Sequence, residues 1–448
     1  MISITVRNEK NMYNAYHMTK AFYPTEDITQ KVDWKASHYV EISFGDKTSL
    51  IMDEENKSKL DILIYKKLRD KTNKELAWGL LLGIRPTKLV RKMIEDGKSY
   101  DNIKSVFMKD KFVSKEKTEL ALQVMEQERK ILNQLNYSNG YSLYIGIPFC
   151  KSICSYCSFS SGLYETYKDR IDDYLNSLFR EIKSAITSME GKVLDTIYIG
   201  GGTPTSLTSI QLGRLLDYID NTVDKTNLLE YTIEAGRPDT IDEEKLKIIK
   251  EHGVTRISIN PQTMQQKTLD TIGRKHSVED VINVYNMARR VGFDNINMDI
   301  ILGLEGESEK DVEDTLYKIE QLGPDSLTVH TLALKRAAKL EKVKVDAQSL
   351  EKMIEISASS AKNMNMKPYY LYRQKNIAGN FENIGYSKVD KAGIYNILIM
   401  EELQTIIACG AGATTKIVLQ DKVNNNGKMS NIIRKDNVKS IEEYIRRH

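Results

Sequence analysis

From Leu143 to about residue 364 short apolar runs alternate with amphipathic stretches, and the alternation hardly breaks. The apolar runs predict strands near Leu143 to Ile147, Thr196 to Ile199, Tyr231 to Glu234, Ile257 to Asn260, Ile296 to Ile301 and Ser326 to Thr331. Between and after them, apolar residues at helical spacing predict helices near Lys168 to Met189, Ile210 to Asp220, Glu243 to His252, Val278 to Val291, Glu309 to Gln321 and Gln348 to Asn363. Strand and helix in strict alternation imply a parallel sheet with right-handed crossovers. Six such units fall short of the eight of a closed barrel. The expected fold is therefore α/β, an open six-unit βα partial barrel.

The flanks follow other patterns. Ser3 to Val6, Tyr39 to Phe44 and Ser49 to Met52 read as strands, and Lys57 to Lys71 and Lys115 to Leu135 as helices with charged outer faces, the second capped by Ser114. Residues 1–142 thus form a small α/β and helical module. Within it, Trp78 to Lys88 carries a tryptophan, two glycines and Arg85-Pro86, which suits a turn packed on the next domain. Asn133 to Ser142 is polar and reads as a linker. The barrel is assigned to 143–364. Residues 365–448 are expected to form a C-terminal α+β domain covering the substrate, opened by Pro368-Tyr-Tyr-Leu-Tyr-Arg373-Gln-Lys375. A chain of 448 residues has room for more than one core, since single cores stop growing near roughly 250 to 300 residues.

Charge narrows the partners. The 65 basic and 62 acidic side chains leave a net charge of +3, without the general basic field that nucleic-acid binding needs. The N-terminal residues do not read as a signal peptide, and no run approaches the ~20 apolar residues of a membrane span. Four cysteines, three of them in one loop, are not a secreted disulfide framework. A cytoplasmic protein is expected.

Those three cysteines are the strongest chemical signal. Cys150, Cys154 and Cys157 follow the first barrel strand with the spacing C-x3-C-x2-C. A zinc site would want a fourth protein ligand nearby, whereas a four-iron cluster on three thiolates keeps one iron open. Zinc and unligated buried thiols are the alternatives. The fourth cysteine, Cys409, is distant in sequence and reads as a small buried thiol. Other unusual residues also fall at strand ends, the active face of a βα barrel: Gly200-Gly201-Gly202-Thr203-Pro204, Glu234, Gln262, Asp299, His330 and Ala333. The amides of Gly201, Gly202 and Thr203 are candidates to bond a ligand's polar end. Glu234 can accept from an ammonium or hydroxyls, or else pair with Arg237. Arg274 offers a fork for a carboxylate, and Asp299 in its apolar strand requires a partner. His330 reads as a satisfied core histidine.

Taken together, Tyr144-x-Gly-Ile-Pro-Phe-Cys, C-x3-C-x-Tyr-C, Gly-Gly-Gly-Thr-Pro-Thr, Ile-Ser-Ile-Asn-Pro-Gln262, Gly273-Arg274-x-His276 and Met298-Asp-x-Ile-x-Gly-Leu304 resemble one family. It is the oxygen-independent coproporphyrinogen dehydrogenase family of radical S-adenosylmethionine (SAM) enzymes, which also holds a haem-chaperone branch. Gly83 to Lys88, Thr232 to Pro238 and Tyr370 to Asn376 resemble its HemZ-type subgroup. The resemblance implies a [4Fe-4S] cluster on Cys150, Cys154 and Cys157. It implies a SAM pocket lined by Tyr144, Tyr156, Gly201, Gly202, Thr203, Glu234, Gln262, Arg274, Asp299 and Ala333. It further implies oxidative decarboxylation of coproporphyrinogen III propionates to vinyl groups, with electrons from a reduced donor such as flavodoxin or ferredoxin. A haem-binding carrier on the same fold is the alternative. Two departures bear on the choice: Phe159 stands where active members usually carry a fourth cysteine, and Tyr395-Asn396 where the chaperone branch tends to carry His-Asn. For the porphyrinogen itself, the cations Lys335, Arg336, Arg373 and Lys375 beside Tyr369, Tyr370 and Tyr372 are the expected contacts.

Overall fold

The computed structural model describes every residue except Ile84, 136–138, 158–160, 333–345, 374–380 and 426–427, and omits the side chains of Asn425 and Lys428. Phe159, Ala333, Lys335, Arg336 and Lys375 lie outside the described residues.

The N-terminal residues build a four-stranded sheet from β1 (Ile2–Val6), β2 (Ile28–Val32), β3 (Val40–Phe44) and β4 (Ser49–Met52), in the order β2-β1-β3-β4. Helices Glu9–Phe22 and Lys57–Thr72 pack with it around a separate apolar core that includes Ile4, Ile42, Leu60 and Tyr65. Alternation reveals β1 and β3, but β2 is largely exposed and polar and carries no such signal.

The second sheet organises the rest of the molecule. β5 (Gly140–Ile147) leads to a small parallel pair, β6 (Phe149–Cys150) and β7 (Gly162–Leu163). Then come β8 (Val193–Gly201), β9 (Glu230–Glu234), β10 (Arg256–Ser258), β11 (Ile296–Leu302) and β12 (Ser326–Thr331). β5, β8, β9, β10, β11 and β12 lie side by side, parallel and in chain order. Their near-continuous apolar sequences fit strands covered on both faces. One face, with Ile145, Ile197, Ile199 and Ile233, shares a core with Leu175, Leu178, Leu212 and Leu216 of the crossover helices.

The residues beyond 365 extend this sheet at both edges. β13 (Lys367–Arg373) and β14 (Glu382–Ser387) are antiparallel, and β14 pairs with β12. β15 (Thr405–Cys409) runs parallel to β5 on the other edge, followed by the antiparallel β16 (Thr414–Asn425) and β17 (Lys428–Asp436). The result is an eleven-stranded sheet whose hydrogen bonding crosses both expected boundaries. Helix Ile394–Glu401 sets Tyr395 on Tyr198 with ring centroids 4.4 Å apart, on the face of the sheet that Tyr144 and Tyr198 share.

Trp78 fastens the N-terminal residues to the large sheet. It is fully buried, and its indole N–H donates to Glu382 Oε2 at 2.7 Å. The neighbouring Glu401 accepts from Thr87 (3.0 Å) and Arg91 (3.2 Å), and Glu402 from Arg85 (2.6 Å) and Arg434 (3.0 Å). Burial pushes the Glu402 carboxyl up, but Arg85, Lys416 and Lys88 outweigh it and hold it at about 2. Among the described residues, no helix is long and apolar enough to cross a membrane.

Candidate functional site

A cleft of about 320 Å³ opens where the parallel strands end, and the cysteine loop forms one of its walls. β6 and its partner β7 hold the start of the loop, with Gly162 N–H donating to Pro148 O at 2.8 Å. Ser155 N–H donates to Ile272 O (3.2 Å) and Cys157 N–H to Cys154 O (3.1 Å), so all three cysteines face one region. Two neighbouring groups address their sulfurs. Thr203 Oγ1 lies 3.6 Å from Cys150 Sγ, and Arg237 Nη1 lies 3.7 Å from Cys154 Sγ.

The triple glycine works by size. Gly202 N–H donates to Ile147 O and Thr203 N–H to Phe149 O, both at 2.8 Å, and Gly201 N–H donates to Glu234. The amides expected to meet a ligand are thus engaged by the protein, and what the glycines leave is room. A Cβ on Gly202 would stand 2.7 Å from Phe149 O and 3.0 Å from Cys150 Sγ, and one on Gly200 would stand 2.9 Å from Glu234 Oε2.

Glu234 closes β9 and takes a 2.5 Å hydrogen bond from Tyr198 O–H. It does not pair with Arg237, whose Nε and Nη2 grip Asp239 instead at 3.0 and 3.2 Å. Burial, partly offset by Tyr198, pushes its carboxyl up to about 7, and Asp299 adds to the rise. Tyr144, expected in the SAM pocket, is not among the lining residues. It stacks with Tyr198 at 6.2 Å, the tyrosine that anchors Glu234.

Arg274 is buried and donates to Asn260 O (2.7 Å), Gly236 O (3.2 Å) and Tyr156 O–H (3.3 Å), so it ties the cysteine loop to the ends of β9 and β10. Gln262 sits in the left-handed region at φ +67°, unusual for a residue with a side chain. Its N–H donates to Asp299 O and its carbonyl accepts from Ile301 N–H, both at 2.9 Å, which fixes this conformation at the cleft. Asp299 accepts from Asn297 Nδ2 at 2.6 Å and lies 3.6 Å from His330 Nε2, while Tyr372 O–H stands 3.2 Å from His330 Nδ1. Burial would raise the Asp299 carboxyl, but His330 and Asn297 hold it below its ordinary value.

The structure therefore gathers Cys150, Cys154, Cys157, Tyr156, Gly201, Gly202, Thr203, Glu234, Gln262, Arg274 and Asp299 around one cleft. It adds His330, read as a core histidine, and Asn383, which the sequence did not single out, and it brings Tyr372, expected beside the substrate, to the same wall. Arg373 stands elsewhere. It is 2% exposed, donates to the carbonyls of Leu81 and Gly83 (3.4 Å to the latter) and lies 5.5 Å over the Trp78 ring. Alternation along β13 explains the difference: Tyr372 faces the cleft, so its neighbour Arg373 faces the joint.

Three cysteines of one loop lining the same cleft supply the soft donor set of an iron–sulfur cluster. The cleft also holds buried acceptors, Gln262 Oε1 and Asn260 Oδ1, that have no partner among the described residues. Buried polar atoms rarely stay unbonded, so these residues fit a polar cofactor such as SAM beside a cluster.

Comparison with known proteins agrees. Residues 144–319 match the Radical SAM superfamily. The chain is 40% identical over 376 residues to the oxygen-independent coproporphyrinogen-III oxidase-like protein HemZ of Bacillus subtilis, covering 82% of this chain and 74% of that one. It is 41% identical over 192 residues to the heme chaperone HemW of Bacillus subtilis, covering 43% of this chain and 50% of HemW. Coproporphyrinogen III oxidase (HemN) from Escherichia coli, a radical SAM enzyme, shares the fold, with a TM-score of 0.57 and 21% identity over 71% of this chain and 72% of that one. The cofactors of the superfamily are a [4Fe-4S] cluster and SAM. The chain belongs to the radical SAM superfamily and, within it, to the HemZ family of oxygen-independent coproporphyrinogen-III oxidase-like proteins.

Proposed function

We propose that this protein is an oxidoreductase that decarboxylates porphyrinogen propionates to vinyl groups, converting coproporphyrinogen III to protoporphyrinogen IX. The observation that carries the reading is the reach of the cleft. One cleft runs from the three cysteines to a wall of His330, Tyr372 and Asn383, so polar and aromatic side chains stand at its far end, where a substrate would meet the cofactors. Likeness to HemZ over most of the chain supplies the substrate class.

When bound, the cluster and SAM supply one-electron chemistry that removes a hydrogen atom from an unreactive carbon. Cys150, Cys154 and Cys157 would hold the cluster. Arg274 and Tyr156 fix the loop that carries two of these cysteines, and the Gly201–Gly202 turn leaves the space above them. Glu234, Gln262 and Asn260 present the acceptors for SAM's ammonium and hydroxyl donors. Ile301 and Leu332 add an apolar wall, and His330 and Tyr372 are the polar groups nearest the substrate end. Each propionate would lose one hydrogen atom to the deoxyadenosyl group of SAM, one electron to an external one-electron acceptor, and CO2. A reduced flavodoxin or ferredoxin is the proposed donor for the cofactor step.

The carrier alternative receives less support. Tyr395 is stacked on Tyr198 inside the fold, and Asn396 Nδ2 donates to Tyr369 O–H at 3.2 Å, so neither is presented to a haem iron. Anaerobic incubation of reconstituted protein with coproporphyrinogen III, SAM and a reductant should yield CO2, methionine, 5'-deoxyadenosine and the divinyl product. Stoichiometric haem binding with no CO2 from any porphyrinogen tested would overturn the proposal.

A further inference from the structure

Arg237 takes no part in the SAM contacts argued above, yet it is among the most constrained charges in the molecule. It is 4% exposed. Nη1 donates to Ser152 O at 2.9 Å and lies 3.7 Å from Cys154 Sγ, within hydrogen-bonding range of a sulfur acceptor. Nε and Nη2 form a fork on Asp239 at 3.0 and 3.2 Å, and this side of the guanidinium leaves little freedom to the other. The turn that carries Arg237 is itself pinned. Thr240 Oγ1 donates to Arg237 O (2.8 Å) and meets Thr205 Oγ1 (2.7 Å), two residues past the Thr203 that addresses Cys150. Lys151 Nζ donates to Asp239 O at 2.9 Å, so the cysteine loop is fastened to the same turn from its own side.

We propose that Arg237, aimed by Asp239, sets the reduction potential of the cluster by placing a charge-assisted N–H on the Cys154 sulfur. Reduction adds one electron to the cluster from an external low-potential reductant, and no bond in the protein breaks. The added negative charge spreads onto the cysteine sulfurs. A buried cation fixed beside one of them favours the reduced state over the oxidised one, and hydrogen bonds to sulfur are among the levers that tune such clusters. Arg274 also bears on Cys154, by charge and by a hydrogen bond, while its other donors are held by the Asn260 and Gly236 carbonyls. The proposal needs only the cluster. It is independent of which substrate is turned over.

The test is a mediated potentiometric titration of the anaerobically reconstituted full-length protein, read by electron paramagnetic resonance, with iron and sulfide measured for each sample. In Arg237→Met the reduced-to-oxidised ratio at the wild-type midpoint should fall about tenfold or more, a shift of ~59 mV to more negative potential for one electron. Arg237→Lys, which keeps the charge, should recover part of the shift. A wild-type midpoint in Arg237→Met with full iron and sulfide would overturn the assignment. Should that variant fail to hold its cluster, Arg237→Gln, which also removes the charge, decides in the same titration, and a wild-type midpoint there is equally fatal.

Discussion

The cleft and the N-terminal joint both bury charge, and they treat it in opposite ways. At the joint the carboxylates are answered by the protein: Glu382 by Trp78 and Lys117, Glu401 by Thr87 and Arg91, Glu402 by Arg85, Lys88, Lys416 and Arg434. In the cleft, Gln262 Oε1 and Asn260 Oδ1 are buried with no partner among the described residues, and Glu234 is held by one tyrosine and one amide. What sets the cleft apart is where its unmet acceptors lie: Glu128 Oε1 at the joint is buried without a partner too, but Gln262 Oε1 and Asn260 Oδ1 line a cavity. A satisfied charge holds two elements together, whereas an unsatisfied acceptor at strand ends awaits a ligand.

The largest expected effect lies in the cleft. Cys154→Ala removes one of three thiolates and should abolish cluster retention, measured as iron and sulfide per chain after anaerobic reconstitution. A full complement in that variant, or stoichiometric zinc in the native protein, would undo the cofactor side of the comparison. At the joint the expected loss is of stability. Glu382→Ala leaves Lys117, 12% exposed in its side chain, and the buried Trp78 indole without their acceptor. Breaking such a buried pair costs about 3 to 5 kcal/mol, to be read as a lower urea midpoint. If the joint only holds the fold, cluster content in the surviving folded protein stays at the wild-type level.

How much of this contrast can be read from sequence depends on the range of the interactions. The six parallel strands are legible because each apolar or alternating run is followed by its own amphipathic helix. The cleft's Cys150, Glu234, Gln262 and Asp299 are legible because reactive side chains at consecutive strand ends must share one face. Other features rest on pairing between distant segments. Nothing local announces that β14 inserts antiparallel to β12, and this pairing is what brings Asn383 and Tyr372 into the cleft. Nor does a local pattern tell that β15 will lie beside β5. Arg373 shows the same limit at one residue. Its neighbours spell an aromatic and basic surface, but strand alternation divides that surface between the cleft and the joint.

Arg274 gives a smaller effect that sharpens the contrast, since it belongs to both kinds of site: satisfied by carbonyls, yet lining the cleft. Losing a charge-assisted bond to SAM costs about 1.5 to 3 kcal/mol, roughly tenfold or more in affinity. Arg274→Ala should weaken SAM binding by that factor in an anaerobic titration. Wild-type affinity would assign Arg274 to loop fastening alone.

The smallest expected effect is a pH dependence of SAM binding through Glu234, and it separates the two regions by titration. Burial and Asp299 raise the Glu234 carboxyl to about 7, while Glu402 at the joint is held at about 2 by its cations. The signs are opposite. For Glu402 the lowered value stabilises the fold above the ordinary carboxylate range, and that contribution is lost only as pH falls toward 2. For Glu234 the raised value favours the protonated fold, so its contribution is complete below the ordinary carboxylate range and is lost as pH rises through about 7. An ammonium donated to Glu234 favours the ionised form, which pairs with it by charge as well as by hydrogen bond. Below pH 7 binding must first release that proton, and each unit of pH then costs up to about 1.4 kcal/mol, tenfold in affinity. SAM affinity should therefore rise between pH 6 and pH 7 and level off by pH 8, with proton release at the lower pH visible as a buffer-dependent heat of binding. Glu234→Gln should bind more weakly and show no such rise. A flat wild-type profile across this range would mean that SAM leaves Glu234 protonated, and that its bond from Tyr198 is structural in the same sense as those at the joint.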